Sequence, residues 1–234
     1  MELSITLALA LGLLLLGQWL NRLAARRHRV ALNKLQSATL QRSLELLQAL
    51  QKHRGLGAQK DIASVSQRNA LARRLDQLWL NWPGASLQVA PLQRDWPQLR
   101  RNPADFEAHC RMIEALLTVI EQLAERLDLH RLELAPACRH LEDLARLRGL
   151  AMRAANYRRC PAGLELQIRL LCQRLAEPAA EEPLHGMLRQ LEQQLAATAQ
   201  TRLTPGACFA LLTPLIDERL QGLRRALARN LIAA

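Results

Sequence analysis

Apolar positions recur at helical spacing along almost the whole chain. Leu40, Leu44, Leu47 and Leu50 stand three or four residues apart, the repeat that puts side chains on one face of a helix. Breaks at Gly, Pro and capping residues divide the chain. They predict one long helix through about residue 52, a second from an N-cap at Asp61 to just before Trp82-Pro83-Gly84, and helices over 105–127, 136–157, 161–176, 182–198 and 205–231. Each of the last four has a proline at or near its start, where the missing N–H costs nothing. Residues Pro83 to Pro103 hold four prolines and are expected to be irregular. No run of β-branched residues alternates, so no sheet is expected. The predicted fold class is all-α: an up-down helical bundle of four long helices plus shorter ones, with an N-terminal transmembrane anchor helix.

The anchor is expected over residues 1–21 and the helical domain over 22–234. Leu3 to Leu20 is almost wholly apolar, and its roughly 18 residues meet the lower limit for a bilayer span. Trp19 stands where an interfacial aromatic belongs. Arg22, Arg26, Arg27 and Arg29 follow while only Glu2 precedes, so the positive-inside rule puts the helical domain in the cytoplasm, at a single-pass inner (cytoplasmic) membrane location. A cleaved signal peptide is the alternative, weakened by the lack of a basic residue before the apolar run. Five cysteines without paired spacing make a poor disulfide framework.

Composition narrows the function classes. Half the residues are hydrophobic and only 3% aromatic, which suits a leucine and alanine core between helices. The formal charge of +11 is spread over nearly every helix and carries no recognised nucleic-acid motif, so it reads as solvated faces. No P-loop, dinucleotide fingerprint or nucleophile elbow occurs. No catalytic residue, cofactor or enzymatic activity is expected. His109-Cys110 and Cys138-Arg139-His140 offer metal-ligand types without metal spacing, so no metal site is assigned and the cysteines are read as buried on helix faces.

One pattern occurs twice. Leu47-x-x-Leu50-x-x-x-Arg54-Gly55-Leu56 and Leu141-x-x-Leu144-x-x-x-Arg148-Gly149-Leu150 agree at every fixed position. The leucines lie near each arginine's own helix face, so both arginines are expected to point into a core. A buried guanidinium needs a partner, so something anionic should meet them. A mid-helix glycine costs about 1 kcal/mol against alanine; here it would let a facing backbone or a small ligand come close. The chain has 29 arginines against three lysines, so ordinary ion pairs on amphipathic helices are the plain alternative.

The stretch "LQALQKHRGLGAQ" resembles the first signature of the nitrate- and nitrite-sensing domain family, L-Q-x-E-R-G-x-S. "VSQRNALARRLDQL" resembles the family's following Q-R-x-x-T-D stretch, and "LARLRGLAMRAAN" its later R-G segment. The resemblance implies a helical bundle in which one arginine from each R-G segment binds the anion, here Arg54 and Arg148, with Gly55 and Gly149 beside them. His53 stands in place of the usual Glu, Gly57 in place of the usual Ser, and Asn69 and Ala70 replace the T-D pair.

Guanidinium chemistry agrees, because a planar fork of N–H donors matches two oxygens of a planar oxyanion. An empty pocket is expected to hold two like charges without compensation, which His53 cannot supply, and ligand binding then favours another helix arrangement. The expected function is a membrane-anchored sensor of nitrate or nitrite, signalling through an unidentified output protein, a homodimer or the anchor itself. The alternative is a non-catalytic helical scaffold that no longer binds the anion and mediates protein interactions. Tyr157, beyond Arg148 on the same predicted helix, is a weaker ligand candidate than a helix-end packing residue.

Overall fold

With no proline before Pro83 and no glycine between Gly17 and Gly55, little in the first part of the chain can break a helix. In the computed structural model, helix α1 accordingly runs unbroken over Glu2–Leu56, a rod about 80 Å long. The structure describes residues 2–83, 89–176, 182–196 and 200–233. All regular elements among them are helical: α2 (Ile62–Leu80), α3 (Ala90–Arg101), α4 (Phe106–Arg126), α5 (Leu134–Ala154), α6 (Ala162–Ala176), α7 (Glu182–Leu191) and α8 (Pro205–Ala233) follow α1. Five of these helices are long, not four, because α8 extends over 29 residues.

The two parts of α1 have different surroundings. Leu13, Leu14, Leu15, Leu16, Trp19 and Leu20 are all half or more exposed. From Thr39 onward the helix is buried on nearly every side, with Leu40, Leu44, Leu46, Leu47 and Leu50 at 0–1% exposure. That is wider than the single stripe of a surface helix, so this part is the bundle's central rod. Two hydroxyls lie within it, and each donates to its own helix: Thr39 to the Leu35 carbonyl and Ser43 to the Thr39 carbonyl, both at 2.8 Å.

Helices α2, α4, α5 and α8 pack around this rod. Arg74 of α2 faces Glu45 while Arg68 faces the end of α1, so α2 runs opposite to α1. Asp217 of α8 pairs with Lys52, and Arg224 reaches the Leu44 carbonyl, so α8 is antiparallel to α1 too. Helices α4 and α5 are also antiparallel, joined by Arg139 to Glu121 at one end and by Phe106 against Gly149 at the other. The expected cap at Asp61 forms, accepting from the Ser64 N–H at 2.9 Å, and Asp105 caps α4 in the same way, accepting from the Ala108 N–H at 2.9 Å.

Two expectations need correction. The proline-rich segment is not irregular throughout, since residues 90–101 form α3. Pro91 lies in the first turn, where no donor is lost, and Pro97 costs one internal hydrogen bond. Leu92, Trp96 and Leu99 of α3 are buried at a spacing of four and three, and this burial outweighs the proline. The first helix ends at Leu56 rather than 52, so Arg54 and Gly55 sit inside its last turn. Residues 1–11, half of the expected anchor, lie outside those whose side chains are described. Among the described residues no helix is long and apolar enough to cross a membrane.

The end of α1 is tied down by a close approach. A Cβ on Gly57 would overlap the Pro103 carbonyl oxygen, so only glycine fits. The serine that the sensing-family signature carries there would clash as well. Gly57→Ala is expected to destabilise the fold by about 1–3 kcal/mol, the usual cost of overpacking. A shift in the urea midpoint measures it, and an unchanged midpoint would refute this packing.

Candidate anion site

Both arginines of the repeated pattern are buried, Arg54 at 3% and Arg148 at 0% exposure, and they lie side by side between α1 and α5. The helix-face argument for them holds. Their partners differ. Arg54 meets Glu142 of α5 with two parallel contacts, Nη1 to Oε1 at 2.5 Å and Nη2 to Oε2 at 3.1 Å. Gln51, one turn back on α1, donates to the same carboxylate at 3.1 Å. Burial works against the Arg54 charge, but Glu142 outweighs it and raises the pKa above its ordinary value.

Arg148 has no carboxylate contact of this kind. Its Nη1 donates to the Thr213 hydroxyl at 2.9 Å and its Nη2 to the Gln51 carbonyl at 3.2 Å. Both acceptors are neutral. Burial, and then the neighbouring Arg54 charge, push its pKa down to about 10, with Asp217 and Glu142 offsetting part of this. The Nε atoms of both arginines meet no acceptor among the described residues. Aromatic rings cover the two guanidiniums instead: Phe106 lies 5.2 Å from Arg54 and Phe209 5.0 Å from Arg148, close enough for cation–π attraction.

The two glycines have different roles. A Cβ on Gly149 would come within 2.7 Å of the Phe106 ring, so this glycine makes room for the ring that covers Arg54. A Cβ on Gly55 would lie 3.6 Å from the Arg148 Nε and 3.7 Å from the Met152 sulfur, ordinary contact distances. Packing does not demand glycine at 55. The expectation that the arginine pair lacks compensation is corrected, because Glu142 lies between the two charges' helices and supplies one negative charge. No spacing rule singled out Glu142. Six residues before Arg148 is about 1.7 turns, so it does not share that arginine's face of the helix.

His53, at the family's Glu position, is buried and faces α4. His109 Nδ1 lies 2.7 Å from the Asp105 carbonyl and must donate to it, so its Nε2 is bare and accepts from His53 Nδ1 at 2.8 Å. The ring of Trp96 meets His53 edge-on. Burial, then the charges of His109 and Arg68, lower the His53 pKa to about 3. Burial, helped by Arg54 and opposed by Asp105, lowers that of His109 to about 4. His109 is thus part of a histidine pair, and no group of three or more metal-ligand residues occurs among the described ones. Cys138, Cys160, Cys172 and Cys208 are buried free thiols and Cys110 is half-buried. Tyr157 is half exposed beyond the end of α5.

Neither guanidinium lines any of five clefts in the described surface. One, of about 360 Å³ beside α4 and α5, reaches Cys110 and Glu142 and is rimmed by both signs of charge: Arg111, Arg139, Arg146 and Arg174 with Glu107, Glu114 and Asp143. It opens next to the Arg54–Glu142 pair. No protein-family model matches the chain, and no curated protein or solved structure is similar to it.

The histidine pair makes stability pH-dependent. Both rings stay neutral in the fold, whereas the unfolded chain takes up protons below about pH 6.5. The unfolded state then binds more protons, so stability falls as the pH drops from about 6.5 toward 4. The expected slope is about 1 kcal/mol per pH unit for each ring. Urea unfolding at pH 7 and pH 5 measures it, and His53→Gln should halve the difference. Equal stability at the two values would refute the neutral pair.

Proposed function

We propose that the protein is a membrane-anchored helical sensor of a small oxyanion, nitrate or nitrite first, which binds between α1 and α5 and changes how they pack. The observation that carries this reading is Arg148: a wholly buried guanidinium beside another one, satisfied only by neutral acceptors. Nitrate bridging Arg54 and Arg148 takes the place that the Glu142 carboxylate holds on Arg54. The displaced carboxylate turns into the adjoining cleft toward Arg146, since Arg139 and Arg174 on its rim already pair with Glu114, Glu121 and Asp143. The exchange leaves one anion at Arg54 and adds the missing one at Arg148. Gly55 suits this role, because the face it turns to Arg148 has no side chain to exclude a ligand.

The anchor is part of the same proposal. Leu13 to Leu16, Trp19 and Leu20 present an apolar surface on α1 that is half or more exposed, and a basic run follows it. A bilayer is the solvent such a surface fits, with the bundle on the cytoplasmic side. The 55-residue helix then links the anion site directly to the membrane. No step requires bond making or breaking.

A second reading rests on Glu142 itself. If its carboxylate is the permanent partner of Arg54, the arginines are structural and the bundle is a non-catalytic interaction scaffold. The variant Glu142→Gln separates the two. Removing one partner of a buried pair costs about 3–5 kcal/mol, so this variant melts lower than wild type in chloride buffer. In the sensor, nitrate restores the loss and raises the melting temperature more than it does for wild type. Arg148→Ala abolishes the rise, which mass action sets at about 2.7 kcal/mol of stabilisation for nitrate at a hundred times its Kd. If nitrate acts no differently from chloride on wild type and on Glu142→Gln, the scaffold reading stands. Gly55→Ala supplies an independent check: it should stabilise the unliganded protein by about 0.5–1 kcal/mol and weaken nitrate binding in calorimetry.

A further inference from the structure

A cavity of about 480 Å³ opens between the end of α1, α2 and α3. His53, Arg68, Asn69, Arg73, Arg100 and Arg101 contribute to its lining, and no carboxylate does. Asp76, just outside it, accepts from Arg100 at 2.8 Å and from the Trp96 indole N–H at 2.8 Å. One of four guanidiniums is therefore compensated. Arg68 is fixed in place: its Nη1 donates to the carbonyl oxygens of Leu56, Gly57 and Gln59 at 3.2, 3.3 and 3.0 Å. Arg73 and Arg101 are exposed and make no ion pair among the described residues. Four like charges around one cavity repel each other, and a multivalent anion reverses the sign of that energy.

His53 sharpens the ligand chemistry. Its Nδ1 is committed to His109, so the Nε2 of the neutral ring is a bare acceptor beside the arginines. A fully deprotonated anion would find it repulsive. A phosphate oxygen that still carries its proton, or a sugar hydroxyl next to a phosphate, would donate to it while other oxygens take the guanidinium forks. The volume lies in the usual range for small-molecule pockets and is far larger than one nitrate needs. Leu20 is 33 residues before His53 on the same helix, about 50 Å along its axis, so on the anchor reading a lipid headgroup is out of reach.

We infer that this cavity is a second ligand site, distinct from the Arg54–Arg148 pair, which takes a soluble phosphorylated small molecule carrying two phosphates, or one phosphate and a hydroxyl. Arg73 and Arg101 bind its phosphate oxygens, Arg68 orients it against the end of α1, and His53 Nε2 accepts its proton or hydroxyl. Because Arg68 also holds the carbonyl of Leu56, the last residue of α1, and those of Gly57 and Gln59 just beyond it, occupancy stiffens the turn that carries His53 and Arg54. The anion pair and the cavity thus share one helix end.

The test uses the full chain in detergent, with pyrophosphate and adenosine diphosphate as probes and chloride at matched ionic strength as the control. The expected result is a rise in melting temperature of about 4 °C or more at saturating probe. The double variant Arg73→Ala, Arg101→Ala, which alters only exposed side chains, should melt no lower than wild type without probe. It should bind at least about tenfold more weakly, the loss expected from one or more charge-assisted hydrogen bonds. Its response to nitrate should be unchanged, which separates failure here from failure of the sensor reading. The inference is overturned if neither probe raises the melting temperature above chloride, if the double variant keeps the full rise, or if phosphatidic acid vesicles bind where the soluble probes do not.

Discussion

Two guanidiniums and one carboxylate, all withdrawn from water between α1 and α5, set the terms for the rest of the bundle. Desolvating charge is costly unless partners are well placed, so the register of the two helices is fixed by who meets whom. Arg54 of α1 reaches Glu142 on α5, and Arg148 of α5 reaches back to the Gln51 carbonyl on α1. A slide of one helix past the other would break both links at once. The flanking helices are drawn into the same arrangement, because α4 supplies Phe106 over Arg54 and α8 supplies Phe209 and Thr213 at Arg148. Gly149 is the concession that lets Phe106 in.

The arrangement is one carboxylate short. That shortage is a cost to stability, and the sensor proposal rests on it, since an anion binds with most gain where charge is left unbalanced. On the sensor proposal, Glu142 is the internal stand-in that the anion exchanges with. A sensor of this kind requires a second packing of α1 against α5 that the bound anion favours. The central rod would carry the difference. No proline interrupts α1, and it passes from the exposed leucines near its start to Arg54 near its end.

Neutrality is defended at the end of the same rod. His53 and His109 are held uncharged by burial and by nearby arginines, so they add nothing to a region already rich in positive charge. Around them, Arg68, Arg73, Arg100 and Arg101 converge from α2 and α3. A chain of formal charge +11 can scatter its arginines in sequence and still concentrate them in space, because helices of different length and direction bring distant positions together.

Hydrophobic period and breaking and capping residues were enough to place seven of the α-helices, all but α3, and the burial of Arg54 and Arg148, since both depend on positions within one or two turns of each other. Asp61 and Asp105 announce their helices for the same reason. Local rules failed at α3, where Leu92, Trp96 and Leu99 find a buried surface that outweighs two prolines, and at the end of α1, where tertiary contacts carry the helix through Gly55. Only the tertiary structure decided that Glu142 faces Arg54, that Arg148 has no acid, that His53 pairs with His109, and that Gly57 yields to the Pro103 carbonyl. Each joins residues 46 to 97 positions apart or depends on such a join. Periodicity tells which face of a helix is apolar, but the partner across that face is chosen by the packing of the whole bundle.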